Sequence, residues 1–270
     1  MKKTLSIFLV LATAVASAQD SVPSVDEIVA NANRMSYYQG QDGRAKVSMV
    51  IKDSQGRERT REFTILRKDL EPAGVTNDVF AGDQKMYIYF ERPADVNKMA
   101  YLVHKHVDGS DDDRWLFMPG LNLVKRVAAS DKRTSFVGSD FFYEDVSGRS
   151  PDLDTHELVE TTADYYVLNN TPKDPKSVEF ASYKVWIHKA TFMPVKAEYY
   201  DAEGKKIREM QALEVKEIQG FQTVVKSQMS DLRTGSTTTL SYKKVEYNIA
   251  LTEDLFTERY LRNPPRAQLR

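Results

Sequence analysis

The chain has 270 residues, with 38 basic and 39 acidic side chains, 10% aromatic residues and no cysteine. A net charge of −1 without a basic stripe gives a nucleic-acid backbone no electrostatic footprint. The lack of cysteine excludes disulfides, thiol catalysis and lipidation on a cysteine.

Met1-Lys2-Lys3 precedes an apolar run from Leu5 to Val15 and then Ala16-Ser17-Ala18, the layout of a secretory signal peptide over residues 1–18. Its removal takes the two lysines with it and moves the net charge to about −3. No later run reaches the roughly 18 to 20 apolar residues of a membrane-spanning helix. The expectation is an exported chain whose residues 19–270 form a single domain.

Val25, Ile28, Val29, Ala32 and Met35 follow helical spacing, with Ser24 and Glu27 placed as a capping box. After Gly40 the period changes to two. Val47, Met49 and Ile51 alternate with polar residues, the turn Asp53-Ser54-Gln55-Gly56 intervenes, and Phe63 and Ile65 alternate on the return. Met86 to Phe90, Met99 to Val103, Trp115 to Met118 and Leu123 to Val127 continue the strands. Ala128 to Ser150 breaks this rhythm, and Asn169 to Lys176 reads as a surface loop. Five further runs follow: Tyr183 to His188, Val195 to Tyr200, Lys206 to Leu213, Thr223 to Met229 and Thr238 to Tyr247. Residues from Asn263 to Arg270 read as a loose tail. Ten or eleven strands with few helices predict a mainly β (α+β) fold built on a curling antiparallel sheet.

Candidate chemistry is sparse. His104 and His106 lie two apart on a strand, the geometry of a metal pair, but no third ligand accompanies them and an exposed strand end is the simpler reading. The acids from Asp108 to Asp113 lack the order of a calcium loop and fit a solvated turn. Asp140, Glu144 and Asp145 could form a hydrolytic carboxylate pair, or could cap and start a short helix over residues 139–146; the helix role is preferred. No catalytic residue, metal site or cofactor is expected.

The apolar residues are the remaining asset. For each alone, ordinary core is the better reading. Together, Met49, Ile51, Phe63, Ile65, Met86, Ile88, Phe90, Met99, Tyr101, Trp115 and Phe117 would share one face with Val47 and Val103. A curled sheet with that face inward leaves space for an acyl chain, which these side chains would line.

One stretch is more specific. Asp113-x-Trp115-x-Phe117-x-Pro119, then Lys125-Arg126, then Phe136-x-Gly138-Ser139-Asp140-Phe141-x-Tyr143-Glu144-Asp145 resembles the outer membrane lipoprotein-sorting protein family, relatives of the periplasmic carrier LolA. The resemblance implies a LolA-like fold: an incomplete, strongly curved antiparallel β-barrel covered by a few helices. It implies that Phe136, Phe141, Phe142 and Tyr143 belong to a lid entered through Gly138. It also implies a periplasmic location and a non-enzymatic carrier that passes a lipid or lipoprotein acyl chain from an inner-membrane exporter toward the outer membrane. The other reading is a lipid sensor or accessory subunit of a transporter of the resistance-nodulation-division or MMPL type. No residues match LolA's own partner-recognition surface, so a broad carrier of lipids is the expectation.

Overall fold

A computed structural model describes residues 22–70 and 82–270. The expected signal peptide, residues 1–18, lies outside the described residues. Among those described, no helix is long and apolar enough to cross a membrane.

The first element is α1, Val25–Tyr37, and it starts as its sequence predicts. The Glu27 N–H donates to Ser24 Oγ at 3.3 Å, and the Ser24 N–H donates to Glu27 Oε2 at 2.8 Å. Ile28 and Ala32 face inward and bury against Tyr166, Leu168 and Ile187.

Among the described residues, thirteen strands make one antiparallel sheet, more than the ten or eleven expected. In chain order they are β1 (Asp42–Lys52), β2 (Glu58–Asp69), β3 (Gln84–Arg92), β4 (Ala100–Lys105), β5 (Asp113–Met118), β6 (Leu123–Arg126) and β7 (Asp154–Thr161). Then follow β8 (Tyr165–Pro172), β9 (Ser182–His188), β10 (Pro194–Tyr200), β11 (Lys206–Ile218), β12 (Phe221–Asp231) and β13 (Ser236–Tyr247). The two strands the sequence hid are β7 and β8. β7 is an edge strand of mainly exposed, polar residues, so little periodicity marks it. β8 includes Asn169 to Pro172, read above as loop; Asn170 is nonetheless buried and its amide donates to the Tyr183 carbonyl at 3.2 Å.

The sheet order runs β6-β5-β4-β3-β2-β1-β13-β12-β11-β10-β9-β8-β7. It is therefore open, with β6 and β7 at opposite edges, and is neither closed nor strongly curled; this corrects the expectation of a strongly curved, incomplete barrel. The chain steps outward from β1 to β6, crosses to the far edge through residues 127–153, and steps back until β13 pairs with β1. That crossover carries the short helix α2, Tyr143–Ser147.

The sheet is apolar on both faces over β2 to β5. On one face Val47, Met49, Phe63, Ile88, Phe90 and Tyr101 pack beneath Phe136 and Tyr143 of the crossover. On the other, Leu66, Tyr87, Leu102 and Phe117 are covered by Leu251, Phe256, Leu261 and Leu269. The C-terminal residues, including α3 (Arg259–Arg262), thus form a packed strap, and the expectation of a loose tail from Asn263 to Arg270 is corrected by Leu269, which is buried in this layer. Asp42 fastens its start by accepting the Ile249 and Leu251 N–H groups at 2.7 and 2.9 Å.

Candidate ligand-binding site

A mostly apolar cavity of about 490 Å³ lies among α1, the crossover and the sheet. Met49, Phe63, Ile65 and Met86 contribute from β1 to β3, and Val185, Ala197, Met210, Met229 and Leu240 from β9 to β13. Met35 and Tyr37 add the last turn of α1, and Phe136, Phe141 and Val146 add the crossover. The volume is that of a small-molecule pocket.

The expected wall residues separate into three groups. Met49, Phe63, Ile65 and Met86 line the cavity. Ile51, Ile88, Phe90 and Tyr101 are buried in the adjoining core, and Met99 packs on it. Trp115 and Phe117 face the opposite way, into the layer beneath the C-terminal strap, and are corrected from wall to outer core. The reason is register: Tyr101 pairs with Leu116, Leu102 with Trp115 and Ala100 with Phe117, and paired residues share a face.

The C-terminal half of the wall was absent from the expectation although its signal was present. Tyr183 with Val185, Ala197 with Tyr199, Met210 with Ala212, Ser227 with Met229, and Leu240 with Tyr242 are alternate positions that all line the cavity.

The crossover's aromatic segment is a tight hairpin. The Phe136 N–H donates to the Phe141 carbonyl at 2.8 Å, and the Ser139 N–H to the Phe136 carbonyl at 3.0 Å. Val137 and Gly138 turn the corner with φ of +51° and +78°, a conformation that a β-branched residue rarely adopts. Phe136 packs against Phe90 and Tyr101 with tilted rings and edge-on against Tyr143, with ring centroids 5.8, 5.5 and 5.5 Å away. Gly138 sits at the tip, where an added Cβ would meet only Arg59 Nη1 at 3.9 Å. Phe142 lies beneath the Arg208 guanidinium, 4.0 Å from ring centroid to Cζ.

The acids of this segment hold it down. Asp140 is not a helix cap: its carboxylate accepts the hydroxyls of Ser236 and Thr238 on β13. The helix starts later than expected, at Tyr143, and Asp145 accepts the Phe142 N–H at 2.8 Å. Arg133 and Arg208 both pair with Asp145, at 2.9 and 2.5 Å, and both pair with Glu179, at 2.7 and 3.2 Å. Glu144, buried, takes Arg133 at 3.3 Å and Arg149 at 3.2 Å. Burial pushes the Asp145 carboxyl up, but Arg208 and Arg133 outweigh it and hold the group below the usual carboxylate range.

The histidines are placed apart from this cavity. His104 Nε2 lies 2.8 Å from the Phe256 carbonyl, its ring edge-on to Trp115, and burial lowers its pKa. His106 follows β4 and sits between the carboxylates of Asp83 and Asp113 at 3.4 and 3.2 Å. Burial lowers its pKa, and these two acids reverse that to a net rise. Within the acidic run, Asp112 pairs with Arg114, Asp113 pairs with Arg126, and Asp108 accepts the Ser110 N–H at 2.9 Å.

An open antiparallel sheet with a crossover laid over an apolar cavity defines a LolA-like fold. A family model described as "Uncharacterized protein" matches residues 82–263, more than half of the 270 residues. Among solved structures, the chain is similar to a DUF1329 family protein from Desulfovibrio piger, with 29% identity over 88% of this chain and 98% of that one and a TM-score of 0.76. It is similar to a domain named for outer membrane lipoprotein sorting from Vibrio parahaemolyticus, with 27% identity over 87% and 97% of the two chains and a TM-score of 0.76. A LolA superfamily protein from Nitrosomonas europaea shares the fold at 21% identity, covering 88% and 100%, with a TM-score of 0.66. No curated protein matches. The chain belongs to the family that the model describes, and its structural neighbours are LolA-like, a domain named for outer membrane lipoprotein sorting among them.

Proposed function

We propose that this protein is a non-enzymatic periplasmic carrier that encloses an acyl chain of a lipid or lipoprotein and passes it from an inner-membrane exporter toward the outer membrane. The observation that carries this reading is the cavity of about 490 Å³, apolar on most of its surface and walled from both halves of the sheet. A group the size of a methylene fills roughly the 30 Å³ that a water molecule occupies in the liquid, so one chain of about a dozen carbons fits. At about 0.8 kcal/mol per buried methylene, its gross transfer energy is on the order of 10 kcal/mol before ordering costs.

The fold supports a carrier through its cover. Phe136 and Phe141 lie on the cavity, while Asp140 and Asp145 pin the same segment to β13 and β11. A carrier needs a cover that stays closed in water and opens at a partner, and the segment from Phe136 to Tyr143 takes that role. Its acids are each committed to hydrogen bonds or ion pairs with their own fold, which favours binding over hydrolysis.

Native mass spectrometry of gently purified protein tests the reading first, with a co-purifying lipid expected. Transfer of labelled lipid from donor to acceptor vesicles then tests carriage. Protein that is empty and takes up no acyl probe would overturn it.

A further inference from the structure

Five tyrosines line the cavity: Tyr37, Tyr183, Tyr199, Tyr242 and Tyr247. Two are tied down by their hydroxyls. Tyr183 donates to Asp154 Oδ2 at 2.7 Å, and the Tyr247 hydroxyl shares a hydrogen bond with Thr223 Oγ1 at 2.9 Å. The hydroxyls of Tyr37, Tyr199 and Tyr242 meet no hydrogen-bond partner among the described residues. They come from three separate elements, α1, β10 and β13, onto one cavity. A polar group facing an apolar cavity costs free energy unless something in that cavity pairs with it.

Burial pushes the Tyr199 and Tyr242 hydroxyls up to about 12, and pushes Tyr37 higher still. Tyr199 and Tyr242 both add to the rise at Tyr37, which places the three within electrostatic reach of one another. At neutral pH all are uncharged donors. The cavity's cations are already spoken for. Arg44 holds Glu246 at 2.6 Å, Arg67 holds Asp69 at 2.9 Å, Arg133 holds Asp145 at 2.9 Å and Arg149 holds Asp154 at 2.8 Å. An entering carboxylate would therefore find no unpaired cation among the described lining residues, and would find Asp145 and Glu246 on the wall.

We propose that Tyr37, Tyr199 and Tyr242 form a recognition site for the carbonyl oxygens of a neutral acyl ester or amide, so that the cavity selects esterified or amide-linked chains over free fatty acids. The inference rests on the carrier reading and specifies its ligand. The tyrosine hydroxyls donate to the ester or amide oxygens while the chain lies along Met49, Met86, Met210 and Met229.

The test is displacement of a fluorescent hydrophobic probe at pH 8 by methyl laurate, laurate and dodecane, with wild type and with Tyr37→Phe, Tyr199→Phe, Tyr242→Phe and the triple variant. These substitutions remove hydroxyls without partners, so thermal melts should match or exceed wild type. Methyl laurate is expected to displace the probe at least about tenfold better than laurate, and each single substitution to weaken the ester by about three- to tenfold, leaving dodecane unchanged. Laurate binding as tightly as the ester, or an ester affinity that survives the triple substitution, overturns the site while the carrier reading stands. Failure of all three competitors overturns both.

Discussion

Asp140 and Thr238 exchange two hydrogen bonds: the Asp140 N–H donates to Thr238 Oγ1 at 2.9 Å, and that hydroxyl donates back to Asp140 Oδ2 at 2.6 Å. Thr238 is fully buried, so its hydroxyl has no solvent to turn to when the pair is broken. Thr238→Val keeps the shape and removes both. It is expected to lower unfolding free energy by about 2 to 3 kcal/mol in urea titrations and to speed hydrogen exchange at Asp140. Unchanged stability and exchange would show that the crossover is anchored elsewhere.

Arg208 is the second anchor. It is fully buried, lies over Phe142 and reaches both Asp145 and Glu179. Arg208→Met leaves two carboxylates short of a partner and should cost about 3 to 5 kcal/mol. Adding Asp145→Asn to that variant should restore part of the loss, and a double-mutant cycle without coupling would refute the pairing.

Asp69 sets a pH dependence of opposite sign to an ordinary ion-paired acid. Burial outweighs Arg67 and Gln84 and raises its carboxyl to about 6. The folded pKa is above the unfolded one, so its favourable contribution is complete below about pH 4 and is lost as pH rises through about 6. The difference amounts to about 3 kcal/mol at most. Relative to Asp69→Asn, wild type should lose stability across that window; parallel pH profiles would rule this out.

Gly148 and Gly138 differ sharply as sites for a side chain. At Gly148, φ is +86° and a Cβ would lie 2.7 Å from Tyr37 Cζ and 3.0 Å from Lys105 Nζ. At Gly138, φ is +78° but the space is open apart from Arg59. Gly138→Ala should therefore cost only the backbone penalty of about 1 to 2 kcal/mol, whereas Gly148→Ala should exceed it and also weaken probe binding by shifting Tyr37. Equal melting temperatures for the two variants would contradict this.

Much of the architecture was legible because local rules governed it. Ser24 and Glu27 announced α1, and alternation at Val47, Met49 and Ile51 announced the sheet. What local rules could not carry was register and layer. Met86 to Phe90 is apolar at every position because β3 is covered on both sides, and nothing in it says which of Met86 and Tyr87 faces the cavity. Trp115 was misplaced for the same reason. The ion-paired roles of Glu144 and Asp145 depend on Arg133 and Arg208, and Arg208 lies far along the chain. The tyrosines of β9, β10 and β13 had the right alternation and needed only the sheet order to bring them opposite β1 to β3.

The order of strands also dictates a schedule. β1 lies mid-sheet, yet its neighbour β13 is contributed near the end of the chain, with Gly43 paired to Tyr247. As the chain is delivered from its N-terminus, β1 keeps one raw edge until residues 236–247 arrive, exposed to pairing with another copy. The sheet's central seam is thus the last to be sewn, a long-range closure that slows folding. Any chain cut before β13 would be left with two further raw edges, β1 and β12, beside the β6 and β7 edges that the intact sheet already carries.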